Sequence, residues 1–342
     1  MSVRARRRRL LTFAVLPSVA ALACGRTPAS VGFSPDGEYL AAAGNGYLTV
    51  WRLPAGQVLL RTPQRGRVHT DPLAFSPDGR TVAVGARGIA VAVLKPSPRA
   101  FSLNALIEVD DLEFCRDGRV IAARVHGISV SLYDADSGAM LLSYVGGRWH
   151  RGLYLPPFPT GPVTAPVAFT CSGPLLVIAR HTGAGSHAAL FDIDRLLRFA
   201  ARQTAGADPP VATLLDPEPR GMGVRDIAVV NESRVALCMN NTLRVVDVRA
   251  GREMARLPLP GCRAITAAPA RPPRIVVLDD TSGLTLFDLD ARSARPLGSA
   301  LRARSIALRR DGGALAVGTA QTVSVWGIGP AGLTHRGRPL RM

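Results

Sequence analysis

The chain is poor in lysine, poor in aromatic residues and without any long apolar run. Lys95 is the only lysine among 42 basic residues, so arginine fills the ordinary cationic positions. The formal charge of +17 is correspondingly scattered. Beyond Arg4, Arg6, Arg7, Arg8 and Arg9 it forms no arm or helix of one sign. Charge of this kind governs nonspecific association rather than fold, and no specific nucleic acid is expected as a partner. No apolar run reaches the roughly 18 residues that a membrane-spanning helix needs, which excludes a multi-pass helical protein. Phosphate-cradling G-x-x-x-x-G-K, zinc-binding H-E-x-x-H and nucleophile-presenting G-x-S-x-G are all missing. The six histidines stand at no ligand spacing. No catalytic residue, cofactor or metal ligand is assigned. The five cysteines, Cys24, Cys115, Cys171, Cys238 and Cys262, contain no C-x-x-C. Their irregular spacing in a chain of 342 residues speaks against a disulfide framework and leaves room for one isolated bridge.

What is present begins with residues 1–23. Five arginines and no acid precede the almost wholly apolar stretch 10–23, which ends in Ala21-Leu22-Ala23. That is the layout of a secretory signal peptide, loosely of the twin-arginine kind. Cys24 then stands where bacterial lipoproteins carry lipid, although Leu22 is one residue too close for that signal. Export is expected, with membrane attachment only if Cys24 is lipidated. The alternative is a cytoplasmic protein whose residues 1–23 form an apolar segment of the fold. Pro17 weakens both a long helix and a central strand there.

The rest is dense in glycine (34) and proline (27), as befits short strands joined by turns. Phe33-Ser34-Pro35-Asp36-Gly37 recurs as Phe75-Ser76-Pro77-Asp78-Gly79 and, degraded, as Phe114-Cys115-Arg116-Asp117-Gly118. Weaker copies begin at Phe169 and Leu308, and two further units keep only the strand that follows. Proline presets the second turn position, serine suits the first and glycine the last, so each copy predicts a hairpin turn. A third strand then ends at Trp51, Leu94, Tyr133, Phe191, Val246, Phe287 and Trp326, often followed by Asp. These positions lie roughly forty to sixty residues apart, the period of a repeat architecture.

Taken together, these units resemble WD repeats. The resemblance implies an all-β fold, a seven-bladed β-propeller with four-stranded antiparallel blades, in one domain over residues 31–338. Most units lack the Gly-His before the first strand. The Asp expected before the third strand is replaced by Asn45, by Arg87-Gly88 and by His126, so apolar stacking between blades is expected to dominate. Residues 332–338 can supply the last outer strand.

Three features are candidates for function. The connection 146–166 holds Trp149, His150, Arg151, Tyr154 and Phe158, the composition of an interface hot spot; the alternative is a flap whose aromatics pack on the propeller. Arg87, Arg124 and Arg180 end three successive second strands and could hold an anion on one channel face; the alternative is solvated arginine. Asp194 could cap a short helix bearing Leu196, Leu197 and Phe199, docked on the rim. The Asp-x-Asp pairs at Asp134, Asp192 and Asp288 look like turn-pinning carboxylates and lack the other ligands of a calcium loop. The resemblance implies a noncatalytic, monomeric scaffold for a protein partner of unknown identity. The alternative is an exported propeller binding a small anion at the arginine face, or a hydrolase or lactonase-like enzyme there.

Overall fold

The computed structural model describes residues 30–44, 46–64, 72–95, 98–125, 129–145, 148–151, 166–182, 185–201, 212–218, 223–239, 241–259, 261–299, 303–319, 321–330 and 332–341. The expected signal segment and Cys24 lie outside them. The described residues form small antiparallel sheets arranged as an all-β propeller. Among them, no helix is long and apolar enough to cross a membrane.

Each sheet is built from contiguous chain. The first contains Ser30–Phe33, Tyr39–Gly44, Tyr47–Arg52 and Gln57–Pro63 in that order. Three more four-stranded sheets start at Pro166, Val224 and Ala264. The last starts at Ser305–Leu308 and has five strands, with Gly332–His335 pairing against Thr322–Gly329. Leu340–Arg341 pairs with the far end of that same strand. The innermost strands touch in a closed ring, Ser30–Phe33 meeting both Leu73–Phe75 and Ser305–Leu308.

Five sheets therefore have the size of a blade, against the seven expected. The difference arises between residues 73 and 151, where hydrogen bonding runs through a single seven-stranded sheet. Arg99–Cys115 is 17 residues long and pairs first with Thr81–Val93 and then with Val120–Val125. No break in pairing separates the repeat that begins at Phe75 from the one that begins at Phe114. The extra strand Arg148–Arg151 continues the sheet by pairing with Met140–Val145.

The hairpin turns are wired as the repeat predicts. Ser34 Oγ donates to Asp36 Oδ1 (2.6 Å), the Glu38 N–H donates to the same oxygen (3.0 Å), and the Tyr39 N–H donates to Ser34 Oγ (2.9 Å). Ser76 and Asp78 repeat the pattern. Gly37 and Gly79 take φ of 74° and 67°, a region that side chains with a Cβ rarely adopt. The Asp-x-Asp carboxylates pin turns: Asp134 Oδ1 accepts from the N–H and Oγ of Ser137, and Asp288 Oδ1 accepts from the Ala291 N–H.

Apolar stacking fills every gap between neighbouring units. The largest cluster joins Leu132, Leu142 and Tyr144 to Leu176, Ile178 and Phe191. The seam between the ends of the chain is closed by Val31, Leu40 and Trp51 against Ala307, Ala316 and Val323, with Leu340 packed on them. Lys95 adds a polar tie between the first two units, donating to Glu38 (2.8 Å) and lying over the Tyr39 ring.

The helix spans Ile193–Ala201, with Ile193 and Leu196 buried in the largest cluster and Leu197 and Phe199 packed against it. Its cap is Asp192, whose Oδ1 accepts the Arg195 N–H (2.8 Å), and not Asp194. Asp192 stands one residue before the first helical residue, where a side-chain oxygen reaches the free N–H groups of the first turn.

Two disulfides overturn the expectation of at most one isolated bridge. Cys115 pairs with Cys171 and Cys238 with Cys262, with Cα–Cα separations of 5.3 and 6.0 Å. Each joins neighbouring sheets. Cys115 and Cys171 lie near the ends of consecutive innermost strands, and Cys262 just precedes the innermost strand beside the sheet of Cys238. The closed ring sets these distances, and the spacing along the sequence does not reflect them.

Candidate functional site

The innermost strands surround a central channel, and the chain places acids on them in an otherwise apolar pattern. In Asp111-Leu112-Glu113-Phe114, Leu112 and Phe114 pack toward the preceding unit. The alternation of a strand turns Asp111 and Glu113 to its other face. Glu113 reaches the next sheet, where its Oε2 accepts the Cys171 N–H (2.9 Å). Asp226 does the same two interfaces further on: Oδ2 accepts the Ile265 N–H (2.9 Å) and Oδ1 the Ile227 N–H (2.9 Å). Thr266 completes the series, its Oγ1 accepting the Leu308 N–H (3.0 Å). Side chains of innermost strands thus tie successive sheets through backbone donors.

The three residues Asp111, Glu113 and Asp226 are half-buried and protein surrounds their carboxyls. Burial pushes Glu113 up to about 8, helped by the charges of Asp111 and Asp226 and opposed by hydrogen bonds from Thr170 and Cys171. Burial raises Asp226 to about 7, opposed by its backbone donors and Arg124. Asp111 rises to about 6 through burial, with Arg124 holding it down. The three feel one another's charge and titrate as a set. Among the described residues no group of three His, Cys, Asp or Glu side chains could hold a metal ion.

Of the three arginines expected on one face, Arg124 stands opposite Asp111 in the strand pairing and is half-buried beside acids. Arg87 is exposed and stands opposite Glu108. The backbone of Arg180 pairs with Pro166 and His187, and its side chain lies outside the described residues. Arg124 thus shares its surroundings with carboxylates, which the sequence pattern did not suggest.

In the aromatic connection, Trp149 is 5% exposed. Its ring lies 5.1 Å from Tyr144 and 5.5 Å, edge-on, from Phe191. His150 is half-buried beside it. The Arg151 side chain, Tyr154 and Phe158 lie outside the described residues.

At the end of the channel where the innermost strands turn into the second strands, a cavity of about 1110 Å³ opens. Phe33, Leu73, Phe75, Glu113 and Phe114 line one side, and Arg271 and Arg310 another. The sequence analysis singled out neither these arginines nor the channel acids. The one available signal was the pair of acids in the apolar strand 109–115. No protein-family model matches the chain, and no curated protein matches it significantly.

Proposed function

We propose that the chain is an exported, WD-repeat-like propeller of seven units that serves as a noncatalytic scaffold for a protein partner. The observation that carries export is the pair of disulfides between sheets, since such bonds persist in oxidising compartments and are rare in the cytosol. Membrane attachment follows only if Cys24 carries lipid.

The seven-unit reading rests on the long strands. The Leu94 N–H donates to the Arg80 carbonyl (2.6 Å), so the two ends of Thr81–Val93 lie side by side and the strand is a hairpin folded near Arg87. Arg99–Cys115 then serves as the outer strand of one unit and the innermost strand of the next. Seven apolar clusters separate seven consecutive units on this count. The noncatalytic reading rests on Glu113 and Asp226, which are engaged as acceptors for the backbone of the next sheet.

The test is cross-linking in intact cells of the native host, followed by recovery of the chain and its intact mass before and after reduction. The proposal expects loss of residues 1–23, four thiols alkylated only after reduction, and a defined protein partner. A full-length mass with free thiols refutes export. Absence of any cross-linked protein, or a turnover abolished by Glu113→Gln in a folded variant, refutes the scaffold.

A further inference from the structure

The mouth of the channel holds two arginines that no side chain among the described residues engages. Arg271 sits on the turn between Ala264–Ala268 and Arg274–Leu278, and Arg310 on the turn between Ser305–Leu308 and Ala314–Gly318. The two turns touch, since a Cβ on Gly312 would lie 3.3 Å from the Ala270 Cβ and 2.9 Å from the Arg274 Cδ. Neighbouring cations are committed. Arg274 Nη1 donates to the Gly312 carbonyl (3.0 Å), and Arg309 grips Asp311 through Nε (2.9 Å) and Nη2 (2.6 Å). Arg271 and Arg310 are exposed and have no ion pair or hydrogen-bonded side-chain partner among the described residues.

Another wall of the same cavity is apolar. Phe33, Leu73 and Phe75 are each half-buried, so they show hydrocarbon surface to the cavity. The rim carboxylates Asp117 and Glu232 are exposed, and water and salt screen them. Burial raises Glu113 and so favours its neutral form beside the cavity.

We propose that this mouth binds a small amphipathic anion, with its headgroup between Arg271 and Arg310 and its apolar body against Phe33, Leu73 and Phe75. Guanidinium groups present planar pairs of donors that match carboxylate, sulfonate or phosphate oxygens. A concavity that sets an apolar wall beside a few convergent polar groups fixes the orientation of a small molecule. The site is independent of the scaffold reading and lies at the opposite end of the innermost strands from Arg124.

The probe is 1-anilinonaphthalene-8-sulfonate, titrated by fluorescence against the full chain at physiological salt. Binding saturates at one site, dodecanoate displaces the probe, and dodecanol at the same concentration does not. The double variant Arg271→Ala/Arg310→Ala raises Kd at least tenfold and keeps the parent's thermal midpoint, because neither side chain has a partner to lose among the described residues. Arg249→Ala, an exposed turn arginine elsewhere, leaves Kd unchanged. Lack of saturable binding by the parent, an unchanged Kd in the double variant, or an equal loss with Arg249→Ala would overturn the proposal. So would binding to anionic phospholipid vesicles without binding of the monomeric probe.

Discussion

Opening the two disulfides should remove a large part of the stability of this propeller. Cys115–Cys171 closes a loop with a sequence separation of 56, and Cys238–Cys262 one of 24. Chain entropy alone assigns them about 4 and about 3.5 kcal/mol respectively. The loops do not overlap, so the contributions add to roughly 7–8 kcal/mol. That is comparable with the whole stability of an ordinary domain, about 5–15 kcal/mol. With a urea slope of about 3 kcal/mol/M for a chain of this size, the midpoint should fall by more than about 2 M. The assay is urea unfolding followed by tryptophan fluorescence, with and without reductant, thiols being counted at each point. The paired variants Cys115→Ala/Cys171→Ala and Cys238→Ala/Cys262→Ala separate the two bonds, and the first should cost slightly more. Unchanged midpoints once four thiols have been released would refute the reasoning.

Stability should also fall as pH rises from about 3.8 to about 8. Glu113, Asp226 and Asp111 keep their protons to higher pH in the folded chain than in the unfolded one, so folding binds protons in that window. Each such proton contributes at most about 1.4 kcal/mol per pH unit. Glu113→Gln keeps an acceptor for Cys171 and should flatten the slope of urea midpoints between pH 5 and 9; an unchanged slope would dismiss Glu113 as a source. Trp149→Ala should cost about 3–5 kcal/mol in unfolding experiments, as a buried aromatic does, whereas a loss under 1 kcal/mol would mean that this ring is not a core residue. Leu340→Asp should loosen the seam by about 1–3 kcal/mol, seen as faster hydrogen exchange at residues 31–42 than at residues 235–246. Asp36→Ala should cost about 1–2 kcal/mol by freeing Ser34 and the Glu38 N–H. Asp78→Ala should cost a similar amount, because each carboxylate also faces one exposed cation, Lys95 for Asp36 and Arg80 for Asp78.

The turn motif was fully legible. Ser34-Pro35-Asp36-Gly37 acts through bonds within five residues, and local chemistry of that kind is written in the sequence. The outer strand Gly332–His335 and the docked helix were legible for the same reason, although the cap fell at Asp192, two residues early. Blade count was less so. Whether Arg99–Cys115 is one strand or two depends on hydrogen bonding between units, which the repeat pattern does not encode. The disulfides escaped because Cys115 and Cys171 meet through equivalent places in successive repeats, while their linear spacing suggests nothing. Glu113 and Asp226 were not legible as a set, because their partners are backbone N–H groups with no residue identity. Trp149 drew attention for the company it keeps in sequence, but its neighbours in space are Tyr144 and Phe191.

That each sheet is made of contiguous chain bears on how the ring is assembled. Among the described residues, the first sheet takes no strand from beyond residue 63 and the last takes none from the start. Every sheet can form as its own segment emerges, and each new one finds its predecessor ready to stack on. Both disulfides follow the same order, each joining a cysteine to the next one along the chain. Among the described residues, one meeting joins the two ends of the ring, that of Ser30–Phe33 with Ser305–Leu308. Closing the circle is therefore the last and least local step, and a chain interrupted before residue 305 would be left as an open arc with two apolar faces in water.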